Sequence, residues 1–151
     1  MKIRFLPVML LLLLVGSTAW GAQVIQTQPA TWGGIEADLL EARVRGKVLT
    51  VEVAFRCVSA IERPLRFRFA DLYFTDLSEN RKYYPLKDTS GRYLAGPAHD
   101  YEQGGTYQAS MKPGDRFLFW AKFPAPAVTT QSVDIFIPGF LPFEGVPISR
   151  Q

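Results

Sequence analysis

"VLTVEVAFRCV", residues 48–58, is the stretch that decides the fold class of this 151-residue chain. Apolar side chains recur at every second position, with Val51, Val53, Phe55 and Cys57 on one parity. Such period-two alternation is typical of a β-strand that has one face in a core. We therefore expect these four side chains to be buried in a central strand.

The same alternation recurs in three further segments, and turn-forming residues separate them. The other positions predicted to face the core are Leu65, Phe67, Phe69, Phe117, Phe119, Ala121, Phe123, Val133, Ile135 and Ile137. The pattern predicts one all-β domain over residues 22–151, an antiparallel β-sandwich of about seven to eight strands.

The segment before residue 48 changes phase. Apolar residues occupy odd positions up to Leu39 and even positions from Leu40. A β-bulge near this point, or a strand that switches sheets, would explain the change. Arg45-Gly46-Lys47 then predicts a hairpin turn.

The N-terminus has the layout of a secretory signal peptide: a basic start, an apolar run around five consecutive leucines, and small residues. Cleavage is expected after Gly21, with Ala19 as the alternative. An uncleaved membrane anchor is the other interpretation, but a spanning helix needs about 20 apolar residues, and this run is shorter and contains Pro7. We expect residues 1–21 to direct export, which predicts a periplasmic or secreted protein.

Charge and cysteine content exclude several classes. Lys2 and Arg4 leave with the leader, so the net charge falls from +3 to +1, and no basic run remains to attract nucleic acid. Cys57 is the single cysteine, which rules out an intramolecular disulfide; its inward parity predicts a buried, unreactive thiol. The outward basic residues are expected on a solvated sheet face: Arg56, Arg66, Arg68, Arg116 and Lys122.

Residues that could support catalysis are few. His99 is the only histidine, and no serine lies in a Gly-x-Ser-x-Gly elbow. "HDYE" offers His99, Asp100 and Glu102 as metal ligands, but their spacing matches no established site. We therefore predict no catalytic residues, no metal site and no cofactor.

Tyrosine is the more informative residue type, because all six tyrosines fall between residues 73 and 107. Tyr83, Tyr84, Tyr93 and Tyr101 are the candidate residues for binding a ligand or partner, since tyrosine combines a large apolar area with a polar tip. The alternative is that tyrosines at strand edges cap the core and bond backbone groups.

The C-terminal segment "FIPGFLPFEGVPISR", residues 136–150, combines three prolines with three phenylalanines. Phe143, Val146 and Ile148 are too apolar to remain in water. Pro138-Gly139 predicts a turn, and Pro147 predicts a sheet edge because it lacks a backbone donor. We expect the closing strand of the sandwich here, and not a free tail.

The succession of "LRFRF", "DLYFTDLSENRKYYPLKD", "KPGDRFLFWAKFP", "SVDIFIPG" and "FEGVPI" resembles the immunoglobulin-like domains of uncharacterised bacterial exported proteins and lipoproteins, a family that includes immunoprotective extracellular antigens. The resemblance implies an immunoglobulin-like sandwich outside the cytoplasm, without an assigned enzymatic activity. Unlike many such relatives, this chain has no cysteine after the leader for lipid attachment.

The expected function is a non-catalytic binding or structural module of the cell envelope, with an envelope protein as its partner. The alternative is a carrier of a small ligand or metal that uses the tyrosine-rich loops of residues 73–107. A hydrolase is the third option, and it would depend on His99.

Overall fold

The computed structural model describes residues 23–98 and 105–151, which form twelve strands and one 3-10 turn at Phe69–Asp71. The strands are β1 (Gln26–Pro29), β2 (Ile35–Arg45), β3 (Val48–Cys57), β4 (Arg63–Arg68), β5 (Tyr73–Asp76), β6 (Arg81–Tyr83), β7 (Ala95–Gly96), β8 (Thr106–Met111), β9 (Arg116–Pro124), β10 (Ser132–Phe136), β11 (Phe143–Pro147) and β12 (Ser149–Arg150). Seven of them have five residues or more. The predicted count of seven to eight agrees with the number of these longer strands, although no strand was predicted at β8.

The described part of the chain is therefore all-β, and it contains no helix long and apolar enough to cross a membrane. The predicted leader, residues 1–21, lies outside the described residues.

One large sheet has the strand order β1-β2-β3-β9-β7, with antiparallel neighbours throughout. The last strand, β12, adds to β2 in parallel and pairs Ser149 and Arg150 with Arg43 and Val44. Since β1 pairs with the first half of β2, from Glu36 to Leu39, the two short strands follow one another along β2.

Two smaller antiparallel sheets complete the molecule, one with the order β11-β10-β5-β6 and one formed by β4 and β8. Both contribute to the core of the large sheet. The rings of Phe74 and Phe123 lie 5.5 Å apart, and those of Phe67 and Phe119 lie 5.3 Å apart. Buried residues of all three sheets form one hydrophobic cluster, so the architecture is sandwich-like.

Both features predicted around β2 are confirmed. The register of β2 on β3 shifts between Leu39 and Glu41, which is the expected bulge, and Ala42 and Val44 stay buried as a result. Arg45 pairs with Val48 across a two-residue turn. Gly46 adopts a φ of 59° in that turn, a conformation that glycine enters without a steric cost.

The central strand β3 follows the predicted parity, with Val51, Val53, Phe55 and Cys57 all buried. Cys57 is 4% exposed, so its predicted burial is confirmed, while its slow reaction with thiol reagents stays a prediction.

Two positions keep the predicted parity but depart from the predicted burial. Ala54 points outward and is nonetheless buried, because its single methyl group lies in register between Asp38 and Leu118. Phe117 was predicted to be buried, and this was wrong. It lies near the start of β9, at the margin of the core, where it lines an open groove together with Tyr107.

The C-terminal segment is the closing strand, as predicted. β11 pairs with β10 and forms one edge of the four-stranded sheet, with Phe143 and Val146 fully buried beneath it. Pro147 lies on this edge strand, where its missing donor costs no ladder hydrogen bond. Pro138-Gly139 forms the predicted turn, with the amide of Phe140 donating to the carbonyl of Ile137 at 3.1 Å.

Candidate functional site

The predicted tyrosines do not form one cluster in the described residues. Tyr83 is buried and stacks on Phe74 at 4.6 Å, and this burial raises the pKa of its hydroxyl. Tyr84 is half exposed, while Tyr93 is half-buried and lines a cavity. Tyr101 lies outside the described residues. Tyr83 therefore fits the alternative of a tyrosine that caps the core.

The Tyr93 cavity has a volume of about 250 Å³. Its walls combine three aromatic rings with one acidic and one basic side chain, and short backbone segments complete them. The lining residues are Phe69, Asp88, Arg92, Tyr93, Ala95, Gly96, Pro97, Ala98, Gly105 and Trp120. Small apolar cavities with a few polar groups are the usual form of a ligand site.

Tyr93 is held by a tight turn built around Asp88. Atom Oδ1 of Asp88 accepts hydrogen bonds from the amides of Ser90 and Arg92 at 2.9 and 3.0 Å, and the guanidinium of Arg92 donates to Oδ2 at 3.2 Å. The Arg92 amide contributes most to holding the pKa of Asp88 below its usual range, so the carboxylate stays ionised. This is the Asx-turn chemistry that the sequence "DTSG" favours.

The same turn is attached to the large sheet through β9. The amide of Leu86 donates to the carbonyl of Lys122, and the amide of Lys122 donates to the carbonyl of Leu94, both at 2.8 Å. Lys87 and Tyr93 form a β-bridge, and the Lys87 ammonium lies 4.5 Å from the centre of the Tyr93 ring. Tyr93 is thus held in place by its contacts with Lys87 and by the attachment of the turn to β9.

Two glycines let aromatic rings approach the backbone around the cavity. A Cβ atom on Gly96 would lie 3.0 Å from the indole of Trp120, and one on Gly105 would lie 2.6 Å from the ring of Phe69. Gly105 also has a φ of +94°, which disfavours any other residue. The rings of Phe69 and Tyr93 meet edge to face at 6.5 Å.

An exposed apolar strip extends from the cavity along the outer face of β9. Leu118 is 57% exposed, and Trp120 is 39% exposed two residues further on the same face. Their outward parity was predicted, but their role as a surface was missed. The signal was present in the sequence, because β9 carries large apolar residues on both parities, whereas β3 and β4 carry charged residues on one.

An ion-pair network lies on the same outer face. Arg56 donates to Glu36 at 2.7 Å and to Asp38, and the hydroxyl of Thr27 donates to Asp38 at 2.7 Å. The hydrogen bond from Arg56 is the main reason that the pKa of Asp38 lies below its ordinary value. Arg56, predicted on a solvated sheet face, remains partly exposed there and is engaged with two carboxylates.

No group of three potential metal ligands occurs within residues 23–98 and 105–151. His99, Asp100 and Glu102, which the sequence offers as ligands, lie outside those residues. Comparison of the chain with protein-family models, curated proteins and solved structures finds no match.

Proposed function

We propose that this chain is an exported, non-catalytic binding module of the cell envelope, with an immunoglobulin-like fold and an envelope protein as its partner. The observation that carries the proposal is the exposed strip of Leu118 and Trp120 beside the Tyr93 cavity. Exposed patches of large apolar side chains with a polar rim commonly mark a site of interaction with another molecule.

The strand order supports the immunoglobulin-like part of the proposal. The orders β2-β3-β9-β7 and β11-β10-β5-β6 match the A-B-E-D and G-F-C-C′ orders of immunoglobulin domains. The pair of β4 and β8 is an addition to that pattern.

The surroundings of the strip favour a protein as the partner. Protein interfaces combine a central patch of large apolar side chains, in which tryptophan is enriched, with a polar rim. One side of the rim here is the network of Arg56, Asp38 and Glu36, whose charges already have partners. Covering the strip would therefore leave no charge of this network unpaired. The leader pattern of residues 1–21 supports an envelope location.

Co-purification from native envelopes tests the proposal. We expect the wild-type protein to retain one dominant envelope protein and Leu118→Ser to lose it. Val128→Ser is the matched control, because Val128 is 87% exposed on the loop between β9 and β10. Equal retention by all three proteins contradicts the role of the strip. Hydrolase turnover that His99→Ala abolishes would contradict the non-catalytic part.

A small-ligand carrier is the second candidate, and the Tyr93 cavity is the observation that favours it. A thermal-shift screen with divalent ions and envelope glycans tests this candidate. A carrier predicts a ligand-induced rise in Tm that Tyr93→Ala removes and Tyr84→Ala leaves intact. The absence of any shift in the wild-type protein would speak against a carrier.

A further inference from the structure

The outer face of the four-stranded sheet carries a row of aromatic side chains, which we name the aromatic row: Tyr84, Tyr73 and Phe136. The rings of Tyr73 and Phe136, which are paired across β5 and β10, stack at 4.6 Å, and the ring of Tyr84 lies 6.0 Å from Tyr73. Tyr84 is 51% exposed, and the other two are partly exposed. The inward-facing residues of the same strands, among them Phe74 and Ile135, are buried.

A second row crosses the same face one step further along the strands. This charged row consists of Lys82 on β6, Thr75 on β5, Asp134 on β10 and Glu144 on β11. Thr75 pairs with both Lys82 and Asp134. Asp134 lies opposite the bulge of β11 and accepts a hydrogen bond from the amide of Gly145 at 2.7 Å. Positive charge thus lies at one edge of the sheet and negative charge at the other.

The two ends of the charged row have no ion-pair partner within residues 23–98 and 105–151. The ammonium of Lys82 lies 4.1 Å from the centre of the Tyr73 ring, so it is held over the aromatic row, while Glu144 is exposed on β11. An ammonium over a ring keeps its other donors available for a carboxylate.

We propose that a second copy of this chain packs on this face, related to the first by a two-fold axis parallel to the strands. With the axis between β5 and β10, the aromatic rows of the two copies lie on one another. Lys82 of each copy then faces the acidic edge of the other, at Glu144. A two-fold axis perpendicular to the strands within the interface would instead bring Lys82 onto Lys82, which like-charge repulsion disfavours.

The dimer is a weak one. Its four strands have three to five residues each, and at a spacing of about 4.8 Å they span a face of a few hundred Å². A standard protein interface buries about 800 Å² per partner. The dimer should therefore dissociate on dilution, with a Kd in the micromolar range or above.

Sedimentation velocity of the protein expressed from its full coding sequence tests this inference over a wide concentration range. We expect a monomer–dimer equilibrium that Lys82→Glu and Glu144→Lys each weaken about tenfold, because two contacts per dimer change from attraction to repulsion. An equimolar mixture of the two variants should recover wild-type affinity, since every contact between unlike chains is again of opposite charge. Glu52→Lys, on the outer face of the large sheet, is the matched control and should leave the equilibrium unchanged.

A wild-type protein that stays monomeric at millimolar concentration overturns the inference and leaves the face to a different partner. Two results overturn the proposed two-fold arrangement. One is a dimer whose affinity neither charge reversal lowers, and the other is a mixture of the two variants that dimerises as weakly as each variant alone. Leu118→Ser should not affect self-association, so failure of the dimer and failure of envelope binding are observed separately. Unchanged Tm values of the variants show that they are folded.

Discussion

The two outer sheet faces use charge in opposite ways. On the large sheet, Arg56 is bonded to both Glu36 and Asp38, while Leu118 and Trp120 are exposed beside this network. On the four-stranded sheet, aromatic rings pack on one another, and the ionic side chains at the two edges have no ion-pair partner among the described residues. On the first face the Arg56 network satisfies its charges within the chain, whereas on the second Lys82 and Glu144 remain available for contacts between chains.

Register explains the difference. Glu36 and Arg56 are direct partners across β2 and β3, so their side chains meet. Lys82 and Glu144 lie on the first and last strands of the four-stranded sheet, with β5 and β10 between them. Three strand spacings of about 4.8 Å separate them by about 14 Å, which exceeds the screening length of about 8 Å at physiological salt.

The largest expected effect comes from deleting residues 140–151, because this removes β11 from one sheet and β12 from the other. Phe143 and Val146 are fully buried, and loss of one buried phenylalanine side chain alone costs about 3–5 kcal/mol. We expect the truncated chain to lose cooperative thermal unfolding, measured by circular dichroism. Deletion of residues 149–151 alone is the control, and it should lower Tm only modestly. Equal Tm values for the intact and truncated chains would mean that the segment is a tail.

Arg56→Ala should break the ion-pair network of the large sheet. It leaves the nearly buried Asp38 without its cation, at a cost of about 1–3 kcal/mol, because Arg56 itself is partly exposed. The pKa of Asp38 is lowered in the folded state, so its ionised carboxylate adds to the free energy of unfolding. This contribution is present above the unfolded pKa of about 3.9 and is lost as the pH falls through the folded pKa.

Urea unfolding between pH 7 and pH 2 measures this contribution. The wild-type protein should lose stability below about pH 4 more steeply than Arg56→Ala does. Lys82→Glu reverses a charge on the four-stranded sheet that has no ion-pair partner among the described residues. This variant should keep the wild-type pH dependence of stability. An identical acid dependence in Arg56→Ala would contradict the role of the network.

Gly105→Ala, beside the Tyr93 cavity, should lower the free energy of unfolding by about 2 kcal/mol. The new methyl group meets the ring of Phe69, and the backbone at this position is left-handed. Gly114→Ala is the matched control: its φ is +84°, but nothing lies within 4 Å of the new Cβ atom, so about 1 kcal/mol of backbone strain is expected. Chemical denaturation measures both costs. Equal costs would show that Phe69 moves aside freely.

The smallest effects on stability are expected from Leu118→Ser and Tyr84→Ser, each within about 0.5 kcal/mol, since both side chains are largely exposed. Their effects on association should differ. Leu118→Ser should lose the envelope partner and still dimerise, and Tyr84→Ser should do the reverse. Pull-down and sedimentation of the same two preparations measure this, and a single variant that loses both activities would show that the faces are not independent.

Much of the fold follows from local pattern. The parity of Val51, Val53, Phe55 and Cys57, the bulge after Leu39 and the closing strand at Phe143 are all confirmed. Each of these depends on whether a side chain is apolar or polar compared with its immediate neighbours along the chain. The sequence contains that information directly.

The candidate sites could be predicted less completely from the sequence than the fold. Tyr83 and Tyr84 are adjacent tyrosines, yet Tyr83 is buried and Tyr84 is exposed. Their burial can be told apart only when it is known which face of the sheet meets the core. Phe117 continues a perfect alternation and is still exposed, because burial also depends on where the opposing layer ends. The strands of two to four residues left no pattern at all.

By itself, the sequence determined an all-β chain, most of its longer strands, several of its turns and the burial of its single cysteine. It could do so because alternation and turn chemistry act over a few residues. Only the tertiary structure decided that Leu118 and Trp120 share a surface with the Arg56 network, and that Lys82 and Glu144 lie at opposite edges of one sheet. Those relations join residues up to about 80 positions apart through strand order and register. Cross-strand pairing sets them, and local pattern carries no record of which strands become neighbours.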